Sequence, residues 1–199
     1  MGTSQNIWHH EVSQAEKIAR SLVKARKADV GWKTFFMPSL TLGYLRSKRT
    51  LRFTRKNLLF TKKLAFNAAK EIYRGDDRAN EIGLIVMKTR KILEKEKKGL
   101  YTEKVRSKQM NEIECLMDHY LRLFNSDVES YENSIKRAYS TKNKYLSFLN
   151  RLQKLEQEVF LAAVGQGRKG PQKDRLGGFG KVQAVSVKGR NKEAERIFK

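Results

Sequence analysis

Apolar residues recur at intervals of three and four along most of this chain, which is the spacing of one face of an α-helix. The first stripe runs over residues 4–28 and ends before Gly31; it comprises Trp8, Val12, Ala15, Ala19 and Leu22. A second helix repeats apolar residues every seven positions and ends at Gly75; these are Leu51, Leu58, Ala65 and Ile72. Two amphipathic helices are therefore expected before residue 75.

The same periodicity predicts helices over about 78–93 and 102–124, with Gly99 between them. The links at Gly75, Gly99 and Asn125 are short. Short links join antiparallel neighbours, so these helices are expected to form hairpins.

The longest helix is expected to begin at Ser126 and to continue to Ala163. Ser126 and Glu129 have the Ser-x-x-Glu spacing of a capping box, in which two side chains satisfy free backbone N–H groups at a helix start. Ser140-Thr141 is a candidate break within this helix.

Residues 165–199 mix glycine with basic side chains and show little apolar clustering, which is typical of a flexible tail. A short strand over 181–187 is the alternative for part of it. The chain is thus expected to be all-α, as elongated antiparallel helical hairpins or a bundle of about five helices. Its segments are an N-terminal amphipathic helix (1–29), an apolar interfacial segment plus polybasic amphipathic helix (30–74), a helical bundle or coiled hairpin (75–164) and the tail (165–199).

Charge changes this picture, because it is concentrated in two of those segments. The chain of 199 residues has 43 Lys+Arg against 21 Asp+Glu and a formal net charge of +22. Residues 30–70 contain ten basic residues and no acidic one, and residues 165–199 contain ten basic and three acidic. Positive charge gathered in this way creates a local potential that attracts a polyanionic surface.

An uncharged stretch over 34–45 lies directly before the basic run. Twelve helical residues span about 18 Å, too short for a hydrocarbon core of about 30 Å, so the stretch is expected to lie in the headgroup region of a membrane. The residues expected to insert are Trp32, Phe35, Phe36, Met37, Leu40, Leu42 and Tyr44.

The basic run supplies the second half of the expected interface. A polybasic segment beside an apolar anchor gains about 1 kcal/mol per Lys or Arg near an anionic leaflet. The residues expected to bind the polyanion are Arg46, Lys48, Arg49, Arg52, Arg55, Lys56, Lys62 and Lys63. The sequence thus predicts a non-enzymatic scaffold or adaptor that associates peripherally with an anionic lipid surface, with helix-mediated self-association or a protein partner as a further expectation.

Two alternatives stay open. In the first alternative, residues 35–45 simply pack in the core and the basic run is a solvated helix face. Nucleic acid is the other polyanion, because Leu51, Phe53 and Phe60 interleave with basic residues and the tail resembles arms that neutralise phosphate backbones. No base-reading motif accompanies these features, so such binding would be weakly sequence-specific.

Candidate chemistry is sparse. Cys115 is the single cysteine, and with His119 it forms a pair four residues apart that is interpreted as core edge, not as a metal or thiol site. His9 and His10 are adjacent on a helix and so point in different directions. Gly165 to Gly170 lacks the Lys-Ser/Thr ending of a phosphate loop. No catalytic residue, metal ligand or cofactor is therefore predicted.

The first 29 residues contain Glu11, Glu16 and Asp29 and no apolar run of signal-peptide length. The expectation is a cytoplasmic protein attached to the inner face of a membrane.

Overall fold

The computed structural model describes residues 2–29, 40–95, 101–128, 130–164 and 172–199; at 2–3, 22–29, 40–54, 56–57, 164 and 172–183 this covers the backbone only. These residues form helices and turns, and no strand occurs among them. The all-α prediction is confirmed. Seven helices are present in the described ranges, where about five were expected: α1 (Gly2–Asp29), α2 (Leu40–Tyr73), α3 (Arg78–Lys95), α4 (Glu103–Phe124), α5 (Tyr131–Tyr139), α6 (Lys142–Val164) and α7 (Gln172–Ile197).

Local chemistry explains several helix ends. Gly75 ends α2 with φ of 111°, a conformation that costs glycine little. The Thr102 hydroxyl caps α4 by accepting from the Val105 N–H at 3.4 Å. The Ser130 hydroxyl caps α5 by accepting from the Asn133 N–H at 3.1 Å.

The predicted capping box at Ser126 is wrong. The Ser126 hydroxyl instead donates to the Leu123 carbonyl at 2.6 Å, at the end of α4, and the next helix starts only at Tyr131. The candidate break at Ser140-Thr141 is confirmed: Ser140 has φ of 59° and separates α5 from α6. The long helix is therefore two helices.

Five helices pack in a closed ring in the order α1, α2, α4, α6, α7 and back to α1. Glu11 of α1 pairs with Lys62 of α2, and Glu16 lies 3.8 Å from Arg55, so these two helices are antiparallel. Thr61 with Gln109 and Tyr73 with Phe124 show that α2 and α4 are parallel. Lys108 with Glu158 and His119 with Phe148 make α4 and α6 antiparallel. Glu156 with Arg190 and Tyr145 with Phe198 make α6 and α7 antiparallel. Helix α5 contacts α1, α4, α6 and α7, and α3 lies outside against α2 and α4.

The buried face of α1 differs from the predicted stripe. Trp8 and Val12 are only partly buried, whereas Ile7, Glu11, Ala15 and Ala19 are buried. The buried line is rotated because α1 must face both α2 and α7. A glutamate thereby enters the core.

The expectation of a flexible tail is corrected for residues 172–197, which form α7. Ala194 and Ile197 are 0% and 1% exposed, and the Phe198 ring lies 6.1 Å from that of Tyr145. Packing against α6 and α1 stabilises this helix although it contains four glycines, since tertiary contacts override weak helix propensity. The alternative strand over 181–187 is also wrong, because that segment is helical.

The helix directions place one set of chain segments at the same end of the ring. Four of these segments are here called the basic pole: the C-terminal end of α1, the N-terminal half of α2, the C-terminal end of α6 and the start of α7 (17–29, 40–56, 159–164 and 172–183). The start of α4, which is parallel to α2, lies at this end as well but is not counted in the basic pole. The other end holds α5, the C-terminal residues and the Tyr73–Phe124 contact.

Candidate functional site

A charged cluster lies inside the ring, where apolar packing would be expected. Its first element is Glu11, whose carboxylate receives Lys62 Nζ and, at 3.0 Å, the Tyr120 hydroxyl. Burial alone raises the pKa of Glu11. The Lys62 ammonium and its hydrogen bond, together with His119 and Tyr120, outweigh burial and lower the pKa to about 2. Glu11 is therefore ionised and paired across the α1–α2 interface.

His119 is the second element. Its Nδ1 shares a 2.7 Å hydrogen bond with the Tyr139 hydroxyl, and its ring stacks on Phe148 at 4.3 Å. Burial, against the opposing field of Glu11, lowers the pKa of His119 to about 3, so the imidazole is neutral. Cys115 is also buried. The interpretation of this pair as a packing feature fits, although both residues lie inside the core and not at its edge.

The third element joins α4, α6 and α7. Arg190 donates to both carboxylate oxygens of Glu156, at 2.8 and 2.5 Å, in a bidentate ion pair. Glu112 is 8% exposed beside them, and burial, reinforced by the charge of Glu156, raises its pKa to about 8. Glu112 is consequently protonated at neutral pH.

Replacing Glu112 by glutamine should stabilise the protein at high pH. Because its folded pKa of about 8 exceeds the usual 4.5 of a glutamate, Glu112 contributes stability below pH 4.5 that is lost as pH rises through 8. Glutamine mimics the protonated acid, so Glu112→Gln should match wild type at pH 5 and exceed its free energy of unfolding by about 2–4 kcal/mol at pH 8.5. Urea unfolding at both pH values measures this. Glu114→Gln, at an exposed position of α4, is the control; an equal pH response of both variants would contradict the burial argument.

The fourth element connects α7 to α1 and α5. Glu193 Oε1 lies 2.6 Å from His10 Nε2, and Glu193 Oε2 accepts from Gln14 Nε2 at 3.3 Å. The His10 ring stacks on Tyr131 with centroids 3.6 Å apart. This contact closes the ring of helices between its first and last members.

A cavity of about 50 Å³ lies between these elements, here called the central cavity. It is lined by Glu11, Lys62, His119, Arg190 and Glu193 together with aromatic and aliphatic side chains of α5 and α6. Clustered charges with displaced pKa values in a cavity are typical of binding and catalytic sites. Sequence inspection missed Glu11, Glu112, Arg190 and Glu193; the available signal was the spacing of Ile7, Glu11 and Ala15 by four residues.

The predicted interface residues have mixed outcomes. Trp32, Phe35, Phe36 and Met37 lie outside the described residues. The backbone of α2 carries most of the others at the basic pole: Leu40, Leu42, Tyr44, Arg46, Lys48, Arg49, Arg52 and Lys56. Three of the predicted residues have described side chains, namely Arg55, Lys62 and Lys63. Lys63 is exposed and Arg55 is partly exposed near Glu16.

The prediction that Lys62 binds an external polyanion is wrong. Its side chain is 17% exposed and lies in the interior with Glu11, which removes it from any external polyanion interface. Lys62 is among the predicted residues because it belongs to the same run of basic residues. Its helix face differs from that of Lys63 by about 100°, and only the packing of α1 on α2 shows which of the two faces inward.

Comparison with known proteins adds no family assignment: no protein-family model, curated protein or solved structure matches the chain. Across the ranges given above, no helix is both long and apolar enough to cross a membrane. The same ranges hold no group of three or more His, Cys, Asp or Glu side chains arranged to bind a metal ion.

Proposed function

We propose that the protein is a non-enzymatic scaffold or adaptor that attaches through its basic pole to an anionic lipid surface, from the cytoplasmic side. The observation that carries this is the antiparallel α1–α2 pair. Glu11 and Glu16 neutralise Lys62 and Arg55, and no acid remains further along the pair except Asp29. Residues 17–70 contain fifteen basic residues and one acidic residue.

The paired helices therefore gather an excess of basic over acidic residues toward one end of the molecule. Helix α7 begins at that end as well, with Lys173, Asp174 and Arg175 in its first turn. Charges gathered at one end act together on a flat anionic surface, at about 1 kcal/mol for each residue near it. Residues 40–45, the described part of the uncharged stretch, lie at the same end in the first turns of α2.

Exposed apolar side chains favour lipid over a purely phosphate partner. Phe60 on α2 is 37% exposed and Leu161 on α6 is 51% exposed; Leu161 belongs to the basic pole, and Phe60 lies four residues beyond its 40–56 segment. Apolar groups beside a basic surface add insertion energy at a membrane, and the aliphatic Leu161 offers nucleic acid neither a charge nor a ring on which bases stack.

Vesicle sedimentation tests the proposal. Reversing Arg49, Arg52, Arg55 and Lys56 to Glu should weaken binding to phosphatidylserine-containing vesicles at least 100-fold, because four attractive charges become repulsive. Wild-type binding should weaken with salt, as the Debye length falls below about 10 Å above 0.1 M. The matched control reverses four exposed residues at the opposite end, which should retain most of the affinity: Lys136, Arg137, Lys144 and Lys199.

A second variant separates lipid from nucleic acid. Phe35→Asp with Phe36→Asp should reduce vesicle binding and leave far-UV circular dichroism unchanged, because it removes insertion energy. If this variant binds vesicles like wild type, while duplex DNA or RNA binds wild type but not the charge-reversed variant, the partner is nucleic acid. If the Phe variant unfolds, residues 35–45 belong to the core and the anchor is wrong.

A further inference from the structure

The central cavity has one carboxylate whose charge is not matched by a neighbouring lysine or arginine. Glu11 is paired with Lys62, and Glu156 is paired with Arg190. Glu193 is 8% exposed, and the group beside its Oε1 is the His10 imidazole at 2.6 Å. Of these three carboxylates, Glu193 is thus the one that no lysine or arginine holds.

The Glu193–His10 contact leaves a hydrogen-bonding position open. Among the residues that the structure describes, Glu193 Oε1 is the buried side-chain oxygen or nitrogen without a hydrogen-bond partner. His10 Nε2 is close enough for an ion pair but is not aligned to donate to that oxygen. A buried acceptor left in this state costs about 1–3 kcal/mol, so a donor placed there is stabilised.

The walls beside this oxygen suit a cation. Tyr131, Tyr145 and Phe148 line the cavity, and an aromatic face that meets a cation attracts it by about 0.5–2 kcal/mol. One face of Tyr131 is stacked on His10 and one face of Phe148 on His119. The Ser186 side chain belongs to the same lining. Lys62 and Arg190 also line it, but each is already held by a carboxylate.

The size of the cavity limits the ligand. Each water-sized group needs about 10–15 Å³ of cavity volume, so the 50 Å³ of the central cavity holds about four such groups. Methylammonium and ethylammonium fit this limit and carry N–H donors. Tetramethylammonium has five heavy atoms and no N–H.

The geometry points to the central cavity as a binding site for a small primary ammonium group, held by Glu193 Oε1 and the surrounding aromatic rings. The charged residues that line this site lie outside the basic pole, which shares only Ile18 with the lining, so the inference does not rest on membrane attachment. The ligand bridges α1, α5 and α7 and thereby stabilises the docked position of α7.

Calorimetric titration and thermal unfolding of the full chain test this. Methylammonium chloride should bind saturably and raise Tm by about 5–10 °C at a hundred times its Kd, for a chain of this size. Tetramethylammonium chloride and sodium chloride at equal ionic strength should give no saturable heat. If sodium formate stabilises the protein and methylammonium does not, the cavity takes an anion at Lys62 and Arg190, and the inference is overturned.

Two variants locate the site. Glu193→Gln should weaken methylammonium binding at least tenfold, whereas Glu195→Gln, exposed on the same helix, should bind like wild type. Gly189 lines the cavity and a Cβ there would meet no atom within 4 Å, so Gly189→Leu should fill the space and block binding without unfolding α7. Wild-type affinity in both Glu193→Gln and Gly189→Leu would place the ligand elsewhere and overturn the assignment.

Discussion

Replacing Lys62 by methionine should destabilise the protein by about 3–5 kcal/mol, because it leaves the Glu11 carboxylate buried without a counter-charge. The folded pKa of Glu11 is about 2, below the usual 4.5, so its stabilising contribution is present above pH 4.5 and lost as pH falls through 2. The deficit of Lys62→Met should accordingly be largest near neutral pH and shrink in acid, where Glu11 takes up a proton. Urea unfolding at pH 7 and pH 4 measures both values.

Two controls make this result specific. Lys63→Met alters the exposed neighbour and should change the free energy of unfolding by less than about 0.5 kcal/mol. Adding Glu11→Gln to Lys62→Met should recover most of the loss, since the amide still accepts from Tyr120 and carries no charge. If Lys63→Met is the more damaging change, α2 is rotated relative to the arrangement described above.

Introducing aspartate at Ile113 should be the most damaging single substitution considered. Ile113 is 0% exposed in the middle of α4, which contacts α2 and α6, and it does not line the central cavity. An unpaired carboxylate there should cost more than 4 kcal/mol, a large share of the 5–15 kcal/mol typical of a domain. Thermal unfolding followed by circular dichroism should show a strongly lowered transition or none.

The comparison is Leu161→Asp on α6, where the native side chain is 51% exposed. That substitution should leave Tm within a few degrees of wild type. Equal damage at both positions would mean that α6 buries a different face.

Helix periodicity predicted where helices lie better than which face each one buries. The helices expected over 4–28, 78–93 and 102–124 correspond to α1, α3 and α4. In α1 the expected stripe contained Trp8 and Val12, but the buried line passes through Glu11. Because a glutamate counts as polar in a hydrophobicity pattern, periodicity alone leaves Glu11 out of the apolar face and predicts the wrong buried face for α1.

The candidate site depended on pairs that are distant in sequence. Glu11 is 51 residues from Lys62 and 109 residues from Tyr120, and Glu156 is 34 residues from Arg190. Ionised groups are buried when such a partner is present, so no local pattern identifies Glu11 or Arg190 as interior residues. The basic run was visible because it is a local excess of one charge.

The amino-acid sequence by itself determined the all-α class, the helices with strong apolar periodicity and the concentration of positive charge, because each is a property of consecutive residues. Only the tertiary structure decided that Lys62 faces inward, that residues 172–197 are helical and that a charged cavity occupies the ring. These outcomes depend on which helices meet. Glycine-rich chain becomes helical where packing compensates for its low propensity, and charge enters a core where an opposite charge from another helix neutralises it.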